Sequence, residues 1–472
     1  MRGPTPMCSS PLLLSAYLGL AGALAGCAAP IPPPVVAPPT TATAVPTTVK
    51  PPVTFIEDDY AGALSLARST GKPLFIDAWA PWCHTCLSMR SYVFTDEAMR
   101  PVAVQFVWLA IDTEKPENAA FVARYPMQFW PTLWVVDPKT EQPALKWLGS
   151  ATAKELVPLL TDAARGVTSG TLEGEAAAAM LRGQHASAEG KRSDAIREYR
   201  AALAAAPPRW AQRGRADEAL ISELWAAKDD AACVTLAEEE MAKIPSGTSL
   251  ANVGLFGLQC ARRSPEGSPG KVLAPRLARA VEQLALDPGV PILDDDRSGL
   301  FEEVVDDRES DHDAAGAHSL ATSWATFLEA RARAASTPAA RAVFDAHRLL
   351  AYVALGDAGR ALPMLAESER DFPDDYNPPA RMAKALLELR RYDDALGAVD
   401  RALGKGYGPR KLRLYSLKAD ILAAKGDLES AARIAGEAVT YSGTLPEGER
   451  PAALLADLEK RRSGPKLSPA AK

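Results

Sequence analysis

The sequence is poor in cysteine, histidine and aromatic residues: its 472 positions hold six Cys, five His and 7% Phe, Trp and Tyr. It has no basic excess either, because 53 Lys and Arg face 59 Asp and Glu for a net charge of −6, and no long basic run occurs. That balance excludes nucleic-acid binding by counterion release. The histidines are scattered at 84, 185, 312, 318 and 347 and there is one CxxC, so a zinc site of two paired half-motifs is excluded. No phosphate-binding glycine loop has the required flanks, so no small-molecule cofactor is expected. Charge is absent between Arg2 and Lys50. In that window LLLSAYLGLAGALAGC (12 to 27) is apolar but too short and too rich in small residues for a secure membrane span. What the chain does have is 47% hydrophobic positions over a length sufficient for two or more domains with proper cores.

The apolar stretch reads as the h-region of a signal peptide, residues 1–26. Leu24-Ala25-Gly26-Cys27 resembles the bacterial lipobox, which implies lipidation of Cys27; an ordinary secretory signal cut nearby is the other reading. Several acyl chains on Cys27 would give stable anchoring where one would be marginal. Ala28 after the cysteine resembles the pattern of lipoproteins sorted to the outer membrane, so a lipid-anchored periplasmic protein is expected. Residues 27–53 form a Pro-rich tether, with nine prolines and no aromatic residue in 28 to 53.

In such an oxidising compartment cysteines count as disulfide or redox candidates. With Cys8 in the signal and Cys27 lipidated, four remain. Cys233 and Cys260 lie on helical patterns at about 230 to 243 and 249 to 262, nearly equidistant from the turn at Ser246 and Gly247. Equal offsets on a helical hairpin allow a structural disulfide worth ~3 kcal/mol; two free buried packing cysteines are the alternative.

Cys83 and Cys86 belong to LFIDAWAPWCHTC (74 to 86), a buried-strand pattern broken by one carboxylate and followed by a turn into a helix. This order puts Cys83 at a helix N-terminus, where unpaired N–H groups stabilise a thiolate, and Cys86 one turn further in, placed to resolve a mixed disulfide. The stretch resembles the thioredoxin superfamily: Asp77 six residues before Cys83, Trp82 directly before it, Phe129-Trp130-Pro131-Thr132 as a cis-proline loop, VWLAID (107 to 112) as the intervening strand, and Gly149 with SATAKELVPLL as the closing glycine and helix. The resemblance implies an α/β thioredoxin-like domain at 54–166, with Cys83, Cys86 and Asp77 catalytic and Trp82, His84, Thr85, Trp130 and Pro131 shaping the redox site and substrate groove. Three departures stand out. His84-Thr85 replaces Gly-Pro, and a cationic His84 would make the couple more oxidising. Trp130 is bulky, and Trp108 occupies the place where thioredoxins often carry a lysine near the buried acid.

Downstream of about 175 the chain resembles tetratricopeptide (TPR) repeats. Gly183, Gly190, Ala195, Tyr199, Ala202 and Pro207 match the spacing of small and aromatic positions; Tyr352, Gly356, Ala361 and Pro373 match again. Ala395 and Ala402 follow, Ala395 lying 34 residues beyond Ala361; Gly426, Ala431 and Ala438 follow, the alanines 36 further on. An all-α solenoid over 175–445 is expected, with unreadable repeat boundaries between 209 and 335 and a C-terminal helix and flexible tail at 446–472. Asp294, Asp296, Ser298, Gly299 and Glu302 resemble a calcium loop, but Val305 stands at its twelfth position, so a solvated acidic loop or helix start is expected and no metal is assigned. His185, His312, His318 and His347 read as helix-surface or core residues.

The function expected is thiol–disulfide exchange through a redox-active Cys83–Cys86 pair, leaning towards reduction. Its partners would be protein thiol or disulfide clients, an electron-supplying membrane partner, and whatever the repeats recruit. Two alternatives come from other classes: an envelope scaffold whose thioredoxin-like domain is structural, and metal handling by the dithiol.

Overall fold

The computed structural model describes residues 50–463 apart from 128, 170–173, 209 and 245–246, and leaves aside the side chains of Ser169 and Ala188. The expected signal peptide, Cys27, most of the tether and the end of the C-terminal tail lie outside the described residues. Among them no helix is long and apolar enough to cross a membrane.

Five strands, β1 (Ile56–Glu57), β2 (Leu74–Trp79), β3 (Val107–Asp112), β4 (Thr132–Val136) and β5 (Pro143–Leu148), form one sheet in the order β1-β3-β2-β4-β5. β1, β3 and β2 run parallel; β4 is antiparallel to β2, and β5 to β4. β2 and β3 are continuous apolar runs because helices cover both faces. Alternation along β2 sends Leu74, Ile76 and Ala78 to a core with Leu64 and Phe121, from the helices Tyr60–Thr70 and Ala119–Arg124. Phe75 points to the opposite core, with Trp108, Leu133, Trp147 and Leu156 of the helix Ala153–Ser169. Asp77 falls on that second face, between Ala110 of β3 and Leu133 of β4.

From Gly174 to Arg462 the described chain is helical, each helix packed on the next in a solenoid. Small residues set the spacing: Ala195, Ala202, Ala361, Ala395, Ala402 and Ala438 are wholly buried, and a Cβ on Gly183 would meet the Tyr199 ring at 2.5 Å. The turn between paired helices demands a left-handed residue, at Gly190 (φ 72°), Gly356 (φ 70°) and Gly426 (φ 94°). In the unit between the last two, Arg390 adopts it instead (φ 56°). This is why a glycine pattern alone misses that repeat. Between 209 and 335 helix lengths range from 11 to 21 residues, which is why no repeat period is legible there.

The closing helix of the sheet domain reaches Ser169, and the last described helix is Ala452–Arg462. Cys233 and Cys260 are joined by a disulfide (Cα–Cα 6.2 Å) that ties the helix Asp230–Glu240 to Thr248–Arg263.

The acidic run is a helix start, one of the two forms expected, but it is not solvated. It forms the helix Asp294–Ser310, in which Asp295, Arg297, Ser298, Glu303 and Asp307 are buried. A continuous helix spreads the calcium-like positions around its axis, and they have other partners: Arg331 bonds Asp294, and Trp324 Nε1 donates to Ser298 Oγ at 2.6 Å.

The left-handed turns give a direct test. Gly356→Ala and Gly426→Ala should each lose about 1 kcal/mol, since a Cβ is strained at positive φ. Arg390→Ala, which exchanges one strained residue for another, should change stability by less than about 0.5 kcal/mol. Urea unfolding checks this, and equal losses at all three positions would contradict the repeat geometry.

Candidate functional site

At the C-terminal end of β2 the chain turns through Pro81 and Trp82 into a short helix, His84–Ser88, whose last turn widens to a π-type turn over Met89–Val93. Cys83 is the N-cap of that helix. The Cys86 backbone N–H donates to Cys83 Sγ at 3.0 Å, the orientation that would stabilise a Cys83 thiolate. In this structure the two cysteines are joined (Cα–Cα 5.2 Å), with Cys83 4% exposed and Cys86 sealed. Ala80, Trp79, Trp82 and Trp130 pack around them.

The Trp130–Pro131 bond is cis, and the Pro131 carbonyl accepts from Gly149 N at 2.8 Å, tying the loop to the glycine that follows β5. Trp130 lies beside Trp82 (ring centroids 5.4 Å) and donates to Thr113 Oγ1 at 2.8 Å. Trp82 donates to Glu114 Oε1 at 2.8 Å. Both indoles are therefore anchored as a wall over the dithiol.

Asp77 is wholly buried and neither of its carboxylate oxygens has a hydrogen-bond partner. Burial raises its pKa to about 7, against the opposing charge of Arg90, with Glu57 raising it further. Arg90, from the π-type turn, lies 4.3 Å over the Trp79 ring and bonds Glu57 at 2.5 Å. Its cation acts on Asp77 from another element than the strand position held by Trp108, a substitution of partner that strand alignment cannot show.

The helical solenoid closes over this face of the sheet domain. Asn377 Nδ2 donates to the Pro81 carbonyl at 3.1 Å, Tyr407 OH to Asp112 Oδ2 at 2.5 Å, and Arg410 N to Glu114 Oε2 at 2.7 Å, with the Arg410 guanidinium 5.1 Å from the Trp82 ring. On the other side Phe129 meets Trp225 and Phe256, and Ser150 donates to Asp296 Oδ1 at 2.6 Å. Between Thr85, the Phe129-Trp130 loop, Gly149 and the solenoid residues Arg215, Asn252 and Phe256 lies a cavity of about 160 Å³.

His84 and Thr85 face the solenoid, although the His84 side chain stays partly exposed. His84 Nδ1 lies 2.9 and 3.0 Å from the two oxygens of Asp295, and Thr85 Oγ1 donates to Asp295 Oδ2 at 2.8 Å. Burial opposes charge on both partners, yet their attraction wins: His84 is held above the usual histidine range and Asp295 well below the usual carboxylate range. The Asp295 carboxylate faces His84 and offsets whatever charge the ring carries, a partner that the sequence-based expectation of a more oxidising couple did not include. His347, 1% exposed, stacks its ring 4.2 Å from His84. Asp295 and His347 are the site residues that sequence reasoning missed; they lie 211 and 263 positions from His84, and no local pattern links them.

The buried acid sets a pH dependence. Because Asp77 holds its proton to about pH 7 when folded but to about 4 when unfolded, ionisation destabilises the fold progressively as pH rises through that window. Asp77→Asn should be near neutral at pH 4 and gain on the order of 4 kcal/mol over the wild type at pH 8. Urea unfolding of the oxidised protein at both pH values checks this, and equal stabilisation at both would contradict the assignment.

Comparison with known proteins bears on the sheet domain. The thioredoxin-like family matches residues 55–138. The thiol:disulfide interchange protein DsbD of Yersinia enterocolitica is 32% identical over 88 residues, covering 18% of this chain and 15% of that protein. DsbD of Pseudoalteromonas atlantica is 29% identical over 82 residues, covering 17% and 14%. The chain therefore spans about a seventh of the length of these curated relatives. A solved structure, the TPR2AB-domain:pHSP90 complex of yeast Sti1, covers 61% of this chain and 98% of its own at 14% identity and a TM-score of 0.24. Residues 55–138, with the Cys83–Cys86 pair, are a thioredoxin-like domain.

Proposed function

We propose that this chain is a membrane-anchored periplasmic thiol–disulfide oxidoreductase that works as a reductase. The observation that carries the reading is the Cys83–Cys86 pair capping a helix, with an N–H aimed at Cys83 Sγ, a buried proton-exchanging Asp77 behind it and the cis Pro131 loop beside it. Reduced Cys83 attacks a client disulfide as the thiolate, forming a mixed disulfide and releasing one client thiolate, which takes up a proton. Cys86 then loses its proton towards Asp77 and attacks Cys83 Sγ. The second client thiol leaves and the Cys83–Cys86 disulfide forms, two electrons having passed to the client. A membrane electron-transfer partner restores the dithiol. The DsbD likeness supports exchange chemistry, and compensation of His84 by Asp295 removes the main argument for an oxidant.

The compartment and the Cys27 anchor rest on the N-terminal sequence. The solenoid recruits the client or an assembly, and its contacts at Pro81, Asp112 and Glu114 restrict which clients reach Cys83. No cofactor beyond the dithiol takes part. One observation favours a second reading, in which the domain is structural within an envelope scaffold: Cys83 is only 4% exposed beneath the indoles and the solenoid.

A covalent trap separates the two. Cys86→Ala in the native host should accumulate DTT-sensitive adducts on non-reducing gels while Cys83→Ala shows none, because loss of the resolving thiol strands the client on Cys83. Absence of adducts in both variants, with the protein folded and anchored, would move the weight to the scaffold.

A further inference from the structure

We propose that His84, Asp295 and His347 together bind one divalent cation of the zinc type at the junction of the redox helix and the solenoid. The three residues come from three separate segments: the helix after Cys83, the helix Asp294–Ser310 and the helix Asp345–Ala354. Their donor atoms nevertheless converge. His84 Nδ1 is 2.9 Å from Asp295 Oδ1, His347 Nε2 is 3.1 Å from His84 Nδ1, and His347 Nε2 is 3.4 Å from Asp295 Oδ1. Ligands at about 2.0–2.1 Å from a tetrahedral centre lie about 3.3 Å from one another, so the triangle matches one face of such a site.

Proton accounting points the same way. Two ring nitrogens facing each other at 3.1 Å can share a single proton, and that proton must also serve the Asp295 carboxylate. A divalent cation that displaced this proton would face all three donor atoms at once. The surroundings orient the donors as outer-shell groups of metal sites do. Thr85 Oγ1 donates to Asp295 Oδ2 at 2.8 Å, fixing that carboxylate. His347 Nδ1 has no hydrogen-bond partner, and the Glu302 carboxylate stands 3.6 Å from it, a few tenths of an ångström beyond the bond that would steer a ligating imidazole. The Trp324 ring flanks His347 and excludes water from its far side.

Donor chemistry selects the ion. Two imidazoles and one carboxylate suit zinc and its first-row neighbours; magnesium and calcium prefer all-oxygen sets, and copper(I) prefers sulfur. Both nearby sulfurs are tied up in the Cys83–Cys86 disulfide, so this is a nitrogen and oxygen site, distinct from metal handling by the dithiol. Asp295 and His347 are each 1% exposed, whereas the His84 side chain keeps 37% of its surface, which gives a cation access and leaves a fourth position for water. A bound ion would pin the solenoid to the redox helix through a residue that lies between the two active-site cysteines.

The test uses the full chain, oxidised and stripped with a chelator, titrated with Zn²⁺ against a chromophoric competitor. One ion per chain should bind with a Kd below about 1 μM. His84→Gln should weaken binding by at least about 100-fold, and Glu302→Gln by about tenfold. X-ray absorption of the wild-type zinc complex should show nitrogen and oxygen neighbours at about 2.0–2.1 Å and no sulfur at about 2.3 Å. This readout stands even where a substitution impairs folding. Binding should persist in the Cys83→Ser, Cys86→Ser double variant, so the result is independent of whether the dithiol exchanges. Failure of the folded wild type to bind, binding unaffected by His84→Gln, or a sulfur shell would each overturn the proposal.

Discussion

The ion pair between His84 and Asp295 is the interaction on which the arrangement of this molecule turns. Asp295 is buried to 1% exposure, where an isolated carboxylate would be untenable. It persists as an anion because the redox helix delivers a histidine and a threonine to it. Removing His84 would leave the buried Asp295 without its partner, at less than the roughly 3–5 kcal/mol of a fully buried pair because the His84 side chain keeps 37% of its surface. The contact therefore fixes the solenoid against the redox site in one register rather than merely adding attraction. Asn377, Tyr407 and Arg410 secure the opposite rim, so the dithiol is framed from both sides by the same solenoid.

This framing gives the solenoid a role beyond display of a binding groove. On the proposed reading a client strand would add in the cleft between the active-site helix and the cis-proline loop. Here the solenoid covers that cleft and leaves a cavity of about 160 Å³ lined by Trp130, Gly149 and Arg215. On the proposed reading, a client would have to pass the solenoid to reach Cys83. The repeats that make this possible depend on small residues at helix crossings and on left-handed turns, features local enough to recur at a fixed step.

The sheet domain was legible from sequence because its signals are local. β2 and β3 are apolar runs, the CxxC follows β2 directly, and a Pro in the Phe129–Thr132 stretch marks the loop before β4. The repeats were legible where small residues hold the crossing positions, Ala395 and Ala402 revealing even the unit whose turn falls to Arg390, and illegible between 209 and 335, where helix lengths vary. The junction was not legible at all. Asp295 sits in a run of aspartates that reads as solvated acid, and its burial is decided by a histidine 211 residues earlier. Arg90 escaped for a similar reason, since its influence on Asp77 comes from a π-type turn and not from a strand neighbour. Long-range pairing of charged groups leaves no periodicity to read.

The central claim, that a compensated His84 leaves the Cys83–Cys86 couple reducing, is tested most directly by its reduction potential. The measurement is equilibration of the chelator-treated full chain in DTT redox buffers with thiol trapping. A value near that of thioredoxin, about −270 mV, is the expected result. A value near that of DsbA, about −120 mV, in the wild-type chain would contradict the account.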